Sequence, residues 1–387
     1  MIKSLKVMLL PNNVQKTKMF QYADAARFAY NWALAREQEN YEKGGKFISD
    51  SELRKEFTKL RNSGEYAWLQ GISNNVTKQA VKDACNAYKN FFRGLQNHPR
   101  FKSKKKTKPK FYQDNIKIQF TDTHVKFEGF SSSRKKNKQK LNWVRIAEHG
   151  RIPAGVKYSN PRVSFEGLNW WISVGIEYPD CEEQLSDDGI GIDLGIKDLA
   201  VCSDTGRYGN INKSAAVKKL EKRRRRLQRS VSRKYEKNKM KGEYCKTHNI
   251  VKNERLLLKV NRRLMNIRKN YLHQTTSEIV NRKPRFICIE DLNVSGMMKN
   301  RHLSGAVQNQ GFFEFRRQLE YKCSNSGIQL VVADRFYPSS KLCSCCGNIK
   351  KDLRLSDRVY RCGCGNVMDR DFQASLNLKA YGEQFAS

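Results

Sequence analysis

The stretch GIGIDLGIKDLAVCSDTG, residues 189–206, decides how the C-terminal half of the chain is read. Its apolar residues form a strand, a tight connection and a second strand that ends in an Asp-Thr-Gly turn. Asp193 lies in or at the end of the first strand, between Gly191 and Gly195. Glycines there let another backbone or a phosphate come close. A strand this apolar belongs in a core, so a charge set into it calls for a partner or a cation.

Outward from this stretch, buried strands and helices continue to alternate. PRFICIEDL (284–292) is a buried strand closing on Glu290, and FFEFRRQLEYKCSNSG (312–327) is a helix with a glycine stop. IQLVVADRF (328–336) is another strand, and DFQASLNLKAY (371–381) is a short helix opened by Asp371. Between the opening stretch and PRFICIEDL, residues 213–270 hold 22 Lys and Arg against 4 Glu, a net of +18. Leu257, Val260, Leu264, Ile267 and Tyr271 step there by three and four, and Leu220, Leu227 and Val231 do something similar. The segment therefore predicts two helices joined near 239–249 as an antiparallel hairpin. One face packs, while Arg223, Arg224, Arg225 and Arg226 are candidates to hold phosphate.

Toward the N-terminus, residues 2–10 alternate as one strand and about 14–95 are helical. In NNVTKQAVKDACNAYKNFF (74–92), Val76, Ala80, Ala84, Ala87 and Phe91 share a face and leave Lys78, Gln79 and Lys82 toward solvent or a ligand. The Pro-punctuated basic run NHPRFKSKKKTKPKF (97–111), with Lys104, Lys105 and Lys106 inside it, ends the helices as a linker or phosphate-contacting loop. From 111 to about 178, short alternating runs between polar or glycine turns predict a small barrel or sandwich. A second basic cluster, SRKKNKQK (133–140), sits in one of its loops. If strand 2–10 pairs into this unit, the helical block is an insertion within it.

The 387 residues suffice for two to four folding units at roughly 100 to 200 residues each. Hydrophobic residues at 39% exclude a disordered polybasic tail, and a mean hydropathy of −0.75 leaves much polar surface. With 75 Lys and Arg against 38 Asp and Glu, the net charge of +37 calls for an extended polyanion, and nucleic acid is the expected partner. A membrane-surface protein would add an amphipathic anchor or a lipidation signal, and neither is found. The apolar run from Val7 to Leu10 stops at Pro11, short of the roughly 7 to 15 residues of a signal-peptide core. A reducing cytoplasm is therefore expected, in which the 11 cysteines are not disulfides. Cys85, Cys181, Cys202, Cys245, Cys288 and Cys323 are scattered singly and read as small apolar residues.

The remaining five cysteines fall between 343 and 364. Cys343 and Cys346 form a CxxC and Cys362 and Cys364 a CxC, with 15 residues between the pairs, which supplies four thiolates for a tetrahedral zinc ion. Without histidine or an open position, such a zinc is structural. Cys345 is spare, either a substitute for Cys346 or simply exposed. The tighter second pair leaves open a strained site, with a redox role as the lesser alternative. Asp193, Glu290 and Asp371 each come from a different element of one strand-rich unit. Hard carboxylate oxygens that converge select magnesium or manganese, and two such ions about 3.5 to 4 Å apart activate a water and stabilise the leaving oxygen of a phosphodiester. Any one acid alone reads as a helix cap or a strand-end charge; the three together in so basic a chain point to a nuclease.

The segments GIDLGIKDLAV, CIEDLNVSGMM, ADRFYPSSKLCSCCG and YRCGCGNVMDRDFQASLNL resemble the RuvC-like nuclease of TnpB proteins, carried by bacterial insertion sequences and related to type V CRISPR effectors. The resemblance is strong over 189–380 and weak before that. It implies a multidomain α+β protein. An RNase H-like (RuvC) domain over 183–340 and 366–387 is interrupted by a zinc knuckle at 341–365, and a β-barrel wedge over 1–12 and 97–182 carries an inserted helical recognition domain at 13–96. It also implies a monomeric ribonucleoprotein in the bacterial cytoplasm with access to the nucleoid. Its guide RNA comes from the transposon end, and it makes a magnesium-dependent cut in double-stranded target DNA beside a short flanking motif. By motif, Asp193, Glu290 and Asp371 are the catalytic acids. Asp369 competes by spacing, and Asp371 is preferred because the family pattern centres on the acid before the Ala-containing helix. The chain departs from the pattern at Gln373, where the family usually has Asn; the amide is kept, so reduced positioning is the most that is expected. A Gln near Gln79 reads the flanking motif in the family, which assigns Gln79 and Lys78 to DNA. A type V CRISPR effector and a nuclease-inactive RNA-guided repressor are the alternatives. The short length and the presence of all three acids weigh against them.

Overall fold

The computed structural model describes residues 2–130, 141–179, 184–240, 242–354 and 357–386. The basic cluster 133–140 and Cys181 lie outside the described residues. The chain divides into two compact units, Met1–Pro179 and Asp180–Ser387.

In the first unit, β1 (Ile2–Leu10) is followed by α1 (Asn13–Glu42), α2 (Asp50–Asn62) and α3 (Asn74–Phe92). Then come β2 (Lys110–Tyr112), β3 (Gln119–Phe120), β4 (His124–Lys126), β5 (Trp143–Ile146), β6 (Tyr158–Glu166) and β7 (Asn169–Glu177). The strands form one antiparallel sheet in the order β2-β6-β7-β1-β5-β4-β3. Strand β1 pairs with β7 and β5, so the helices leave the sheet after its first strand and the chain returns to it afterwards. Strict alternation buries Trp170, Ile172, Val174 and Ile176 of β7. Helix α1 opens on a capping box between Asn12 and Gln15 and buries Ala23, Ala25, Ala26, Ala29 and Ala33. Small side chains there let α3 pack closely. The buried stripe of α3 is Val76, Thr77, Ala80, Val81, Ala84, Cys85 and Tyr88, while Ala87 and Phe91 of the expected face are only half-buried. The stripe is shifted because α3 packs against both α1 and α2, which a single-face pattern does not anticipate.

The second unit runs β8 (Ile190–Leu194), β9 (Asp198–Cys202), β10 (Arg207–Gly209), α4 (Ala215–Lys237), β11 (Lys239–Met240), β12 (Glu243–Tyr244) and α5 (His248–Asn281). It continues with β13 (Phe286–Glu290), α6 (Val294–Lys299), α7 (Ser304–Gln310), α8 (Phe312–Ser326), β14 (Gln329–Ala333), β15 (Val359–Arg361), β16 (Val367–Asp369) and α9 (Arg370–Phe385). Its main sheet has the order β10-β9-β8-β13-β14, with β8, β13 and β14 parallel. Ile190, Ile192, Leu194, Ile287 and Ile289 face α5 and α8, where Leu272, Ile279, Phe315 and Leu319 meet them. Phe286, Cys288 and Val331 share the other core with Leu378 of α9. Burial on both faces explains the unbroken apolar runs of β8 and β13. Helices α4 and α5 pair as the basic hairpin, held by Val217, Val260, Leu264, Leu220, Leu227 and Ile267. Among the described residues, no helix is long and apolar enough to cross a membrane.

Candidate active site and cysteine centre

Strand parity places the acids. Gly191 and Asp193 point to the face opposite Ile190, Ile192 and Leu194, as Glu290 points with Phe286 and Cys288. The parallel register pairs Ile287 with Ile190 and Ile289 with Ile192; one step further it sets Glu290 beside Asp193. Helix α9 lies against this same face. A Cβ on Gly191 would come within 2.1 Å of the Ser375 carbonyl oxygen and 2.3 Å of the Lys379 nitrogen, so helix backbone presses directly on the strand. Stepping back one turn from Ser375 to Asp371 covers about 6 Å of helix. Stepping from Gly191 to Asp193 covers about 6.6 Å of strand. The two acids are thereby carried to the same level.

Asp193 is 9% exposed. Burial drives its carboxyl well above the usual carboxylate range, and the hydrogen bond that the protonated carboxyl donates to Glu290, with the charges of Glu290 and Asp371, drives it further, against the opposing pull of Arg370. Three acids crowded on one buried face repel one another, and bound divalent cations would reverse that repulsion. Asp371 is gripped by its neighbour, with Arg370 Nη2 donating to Oδ1 at 3.0 Å and Nε at 3.2 Å. Asp369 has a different place. It is the N-cap of α9, its Oδ1 accepting from the N–H groups of Asp371 and Phe372 at 3.1 Å each, and it pairs with Arg207 at 3.1 Å. The charges that act most on Asp193 are those of Glu290, Asp371 and Arg370.

The cysteines form a tighter set. The Sγ atoms of Cys343, Cys346, Cys362 and Cys364 all lie within 4.8 Å of one another, and this is the group among the described residues in which three or more potential ligand atoms come so close. Cys343 and Cys364 are 3.7 Å apart and Cys346 and Cys362 3.6 Å. A tetrahedron of zinc–sulfur bonds near 2.3 Å has edges of about 3.8 Å, so the four could hold a zinc ion. Burial of Cys343 pushes its thiol up, but the N–H groups of Cys346 and Cys345 and the Asn366 amide outweigh it and bring the thiol to about 6. Cys345 is exposed and outside the set. The second pair sits in the turn of the hairpin formed by β15 and β16, and β16 runs straight into α9.

Several residues that bind these parts together were invisible in the pattern. Gln373 is fully buried; its Nε2 donates to the Leu342 carbonyl at 2.8 Å, and its Oε1 accepts from Ser344 Oγ and Asn366 Nδ2, both at 3.1 Å. Asn366 Nδ2 also reaches Cys343 Sγ at 3.4 Å. Asn377 Nδ2 donates to the carbonyls of Ser339 and Leu342 at 2.7 Å. The helix of Asp371 is thus tied to the cysteine knuckle by buried amides. A groove of about 210 Å³ opens beside Glu290, lined in part by Asn293, Phe313, Arg316 and Arg335. Asp291 holds both arginines, and its carboxyl lies below the usual range, chiefly because of Arg335. The acidic pair Glu290-Asp291 was the available signal for this anchor.

The residues assigned to nucleic acid differ in how free their side chains are. Gln79 Nε2 donates to Asp83 Oδ1 at 2.9 Å, and Asp83 is gripped by Arg162 of β6 at 2.6 and 2.9 Å. Lys78 is half-buried beside it. Lys104, Lys105 and Lys106 are exposed, with Lys104 3.4 Å from Asp24. Arg223, Arg225 and Arg226 are exposed on α4, whereas Arg224 is half-buried and pairs with Glu221 at 2.7 Å.

This fold is that of the compact Cas12f-type proteins: a Cas12f1 chain solved with sgRNA and target DNA aligns over 98% of both chains with a TM-score of 0.60 at 14% identity. Family models match residues 173–301 (probable transposase), 312–378 (Cas12f1-like, TNB domain) and 1–46 (helix-turn-helix domain). Over the last span, the described residues form one strand and a single 30-residue helix. An Escherichia coli K12 protein named RNA-guided DNA endonuclease InsQ is 31% identical over 98% of this chain and 92% of its own. A Streptomyces pristinaespiralis protein named RNA-guided DNA endonuclease is 29% identical over 98% and 89%. The chain belongs to the TnpB family.

Proposed function

We propose that the protein is an RNA-guided DNA endonuclease. The observation that carries this reading is the meeting of Asp193, Glu290 and Asp371 on the α9 face of one sheet. In this reading the second unit is the RuvC-like nuclease, interrupted by a structural zinc knuckle, and the sheet and helices of the first unit are the wedge and recognition parts. Two magnesium or manganese ions held by the acids would supply an activated water and charge stabilisation at the leaving oxygen. The chain's own contribution is positional. Parallel register fixes Glu290 beside Asp193, and α9 sets Asp371 over them. Arg370 holds the Asp371 carboxylate in one orientation.

The basic surfaces bind the guide RNA and the displaced and paired strands through phosphate, with Arg223, Arg225 and Arg226 and Lys104 to Lys106 among the contacts. Gln79 and Lys78 read the duplex beside the target, since a glutamine amide can bond an adenine edge and a lysine a guanine or phosphate. The guide comes from the transposon end, and the working particle is a monomeric ribonucleoprotein in the bacterial cytoplasm. The test is a plasmid carrying a guide-matched target behind randomised flanks, incubated with the purified ribonucleoprotein and magnesium. Cleavage restricted to matched targets with a common flank is expected; guide-independent cutting, or none with either metal, would overturn the reading.

A further inference from the structure

The helical part of the first unit holds a cavity of about 260 Å³ that the reading above does not use. Its walls are aromatic, with Tyr41, Phe47, Tyr88, Phe92 and His98 among them, and Glu37 lies in its lining. Tyr41 and Phe92 are 72% and 59% exposed, a large apolar surface for a protein to leave in water. Glu37 is only 5% exposed. Its Oε2 accepts from the Ile48 N–H at 3.3 Å, while Oε1 is buried with no hydrogen-bond partner among the described residues. A buried carboxylate oxygen left unmatched costs free energy that a donor from a ligand would recover. Exposed Lys43, Lys46 and Lys89 stand in the same segments, the last with its ammonium 5.7 Å from the Phe47 ring.

Flat apolar walls, one free acceptor at depth and the Lys89 ammonium beside the Phe47 ring describe a ligand that is planar, carries an amino donor and is attached to phosphate. We propose that this cavity binds an unpaired nucleobase bearing an exocyclic amine, adenine, cytosine or guanine, from the bound RNA. Aromatic faces take any base, and the acceptor makes the choice, because a carboxylate receives an amino N–H, whereas uracil offers only an N3–H flanked by two carbonyl oxygens that a carboxylate repels. A peptide lysine would also suit an aromatic wall and a carboxylate, but the Lys89 ammonium beside Phe47 repels it. RNA is the source because folded RNA offers unpaired bases in loops and bulges, whereas a base from duplex DNA must first be unstacked. The inference goes beyond the nuclease reading and is tested by binding, so loss of cleavage does not bear on it.

Full-chain protein carrying its copurified RNA is crosslinked by ultraviolet light and the adducts mapped by mass spectrometry. A crosslink from Tyr41 or Phe92 to one unpaired A, C or G is expected. Replacing that nucleotide by uridine in synthetic RNA should weaken binding about tenfold. In Glu37→Gln, whose amide can either accept or donate, the uridine penalty should fall below about twofold. Tyr41→Ala, at an exposed position that does not endanger folding, should weaken RNA binding whatever the base. No adduct at these residues, an adduct to DNA alone, or an undiminished uridine penalty in Glu37→Gln would overturn the proposal.

Discussion

The acids and the cysteines of the second unit are both sets of anions brought together from distant sequence, yet they are built in opposite ways. The cysteines come from two short loops and sit within 4.8 Å of one another, with Cys346 and Cys364 exposed. The acids come from two parallel strands and a helix, with Asp193 buried and Asp371 held by Arg370. A knuckle can close around its ion as a local event, whereas the acids exist as a set only when the whole sheet and α9 are in place. The difference teaches that the cysteine centre can act on the acid centre, through α9, more readily than the reverse.

The largest effect should come from the acids themselves. Asp193→Ala, Glu290→Ala and Asp371→Ala should each reduce cleavage of both strands by at least about a hundredfold while guide and target binding stay within about twofold, because affinity lies on the basic surface. Asp369→Ala should remain active, with a loss of about 1 kcal/mol in stability from the missing N-cap. Cleavage and filter-binding assays on the four variants decide this, and a dead Asp369→Ala with an active Asp371→Ala would exchange their roles.

Next comes the knuckle. Cys343→Ser, or stripping the metal with a zinc chelator, should release the loops at 342–346 and 362–366 and free α9 from the partners of Gln373 and Asn377. Cleavage should fall about tenfold or more although every acid remains. Metal analysis should show one zinc per chain before treatment and none after. Full activity in the zinc-free protein would break the proposed link between the centres.

The cysteine set was legible from spacing alone, because thiolate ligands within a few residues of each other leave a local signature. The acids were legible only from context: a charge ending an apolar run at Asp193 and at Glu290, and a charge opening a helix at Asp371. That the two strands are parallel neighbours, with Gly191 under the backbone of α9, depends on pairings between residues about a hundred positions apart, which no local pattern carries. The basic hairpin was readable from its apolar stepping, and its core bears this out in Val260 and Leu264. Arg370, Asn366 and Gln373 were not, since a buried polar contact leaves no periodicity. At Gln373 the sequence suggested a tolerated departure; the structure gives it three partners, one of them linked to Cys343.

That network supports a smaller prediction. Gln373→Ala removes three hydrogen bonds made by a fully buried side chain and leaves the half-buried Leu342 carbonyl and Asn366 each one partner short, and should cost about 1 to 3 kcal/mol in stability. Gln373→Asn, one methylene shorter, should fall between the wild type and alanine. Thermal melting of the three proteins, with zinc retained, checks the order.

The smallest effect, and the sharpest test of the cysteine set, is at Cys345. It lies between two ligands in sequence, and spacing alone allowed it to replace Cys346. In the structure it is exposed and outside the group, while Cys346 stands 3.6 Å from Cys362 and completes the tetrahedron. Its backbone N–H, not its thiol, acts on the centre, helping to lower the Cys343 thiol, and a change of side chain leaves that N–H in place. Cys345→Ser should therefore keep one zinc per chain, wild-type melting and wild-type cleavage, whereas Cys346→Ser should lose the metal. If instead Cys345→Ser loses zinc and Cys346→Ser keeps it, the ligand set is Cys343, Cys345, Cys362 and Cys364, and the contrast between a close-set knuckle and a dispersed acid site must be redrawn around a more strained loop.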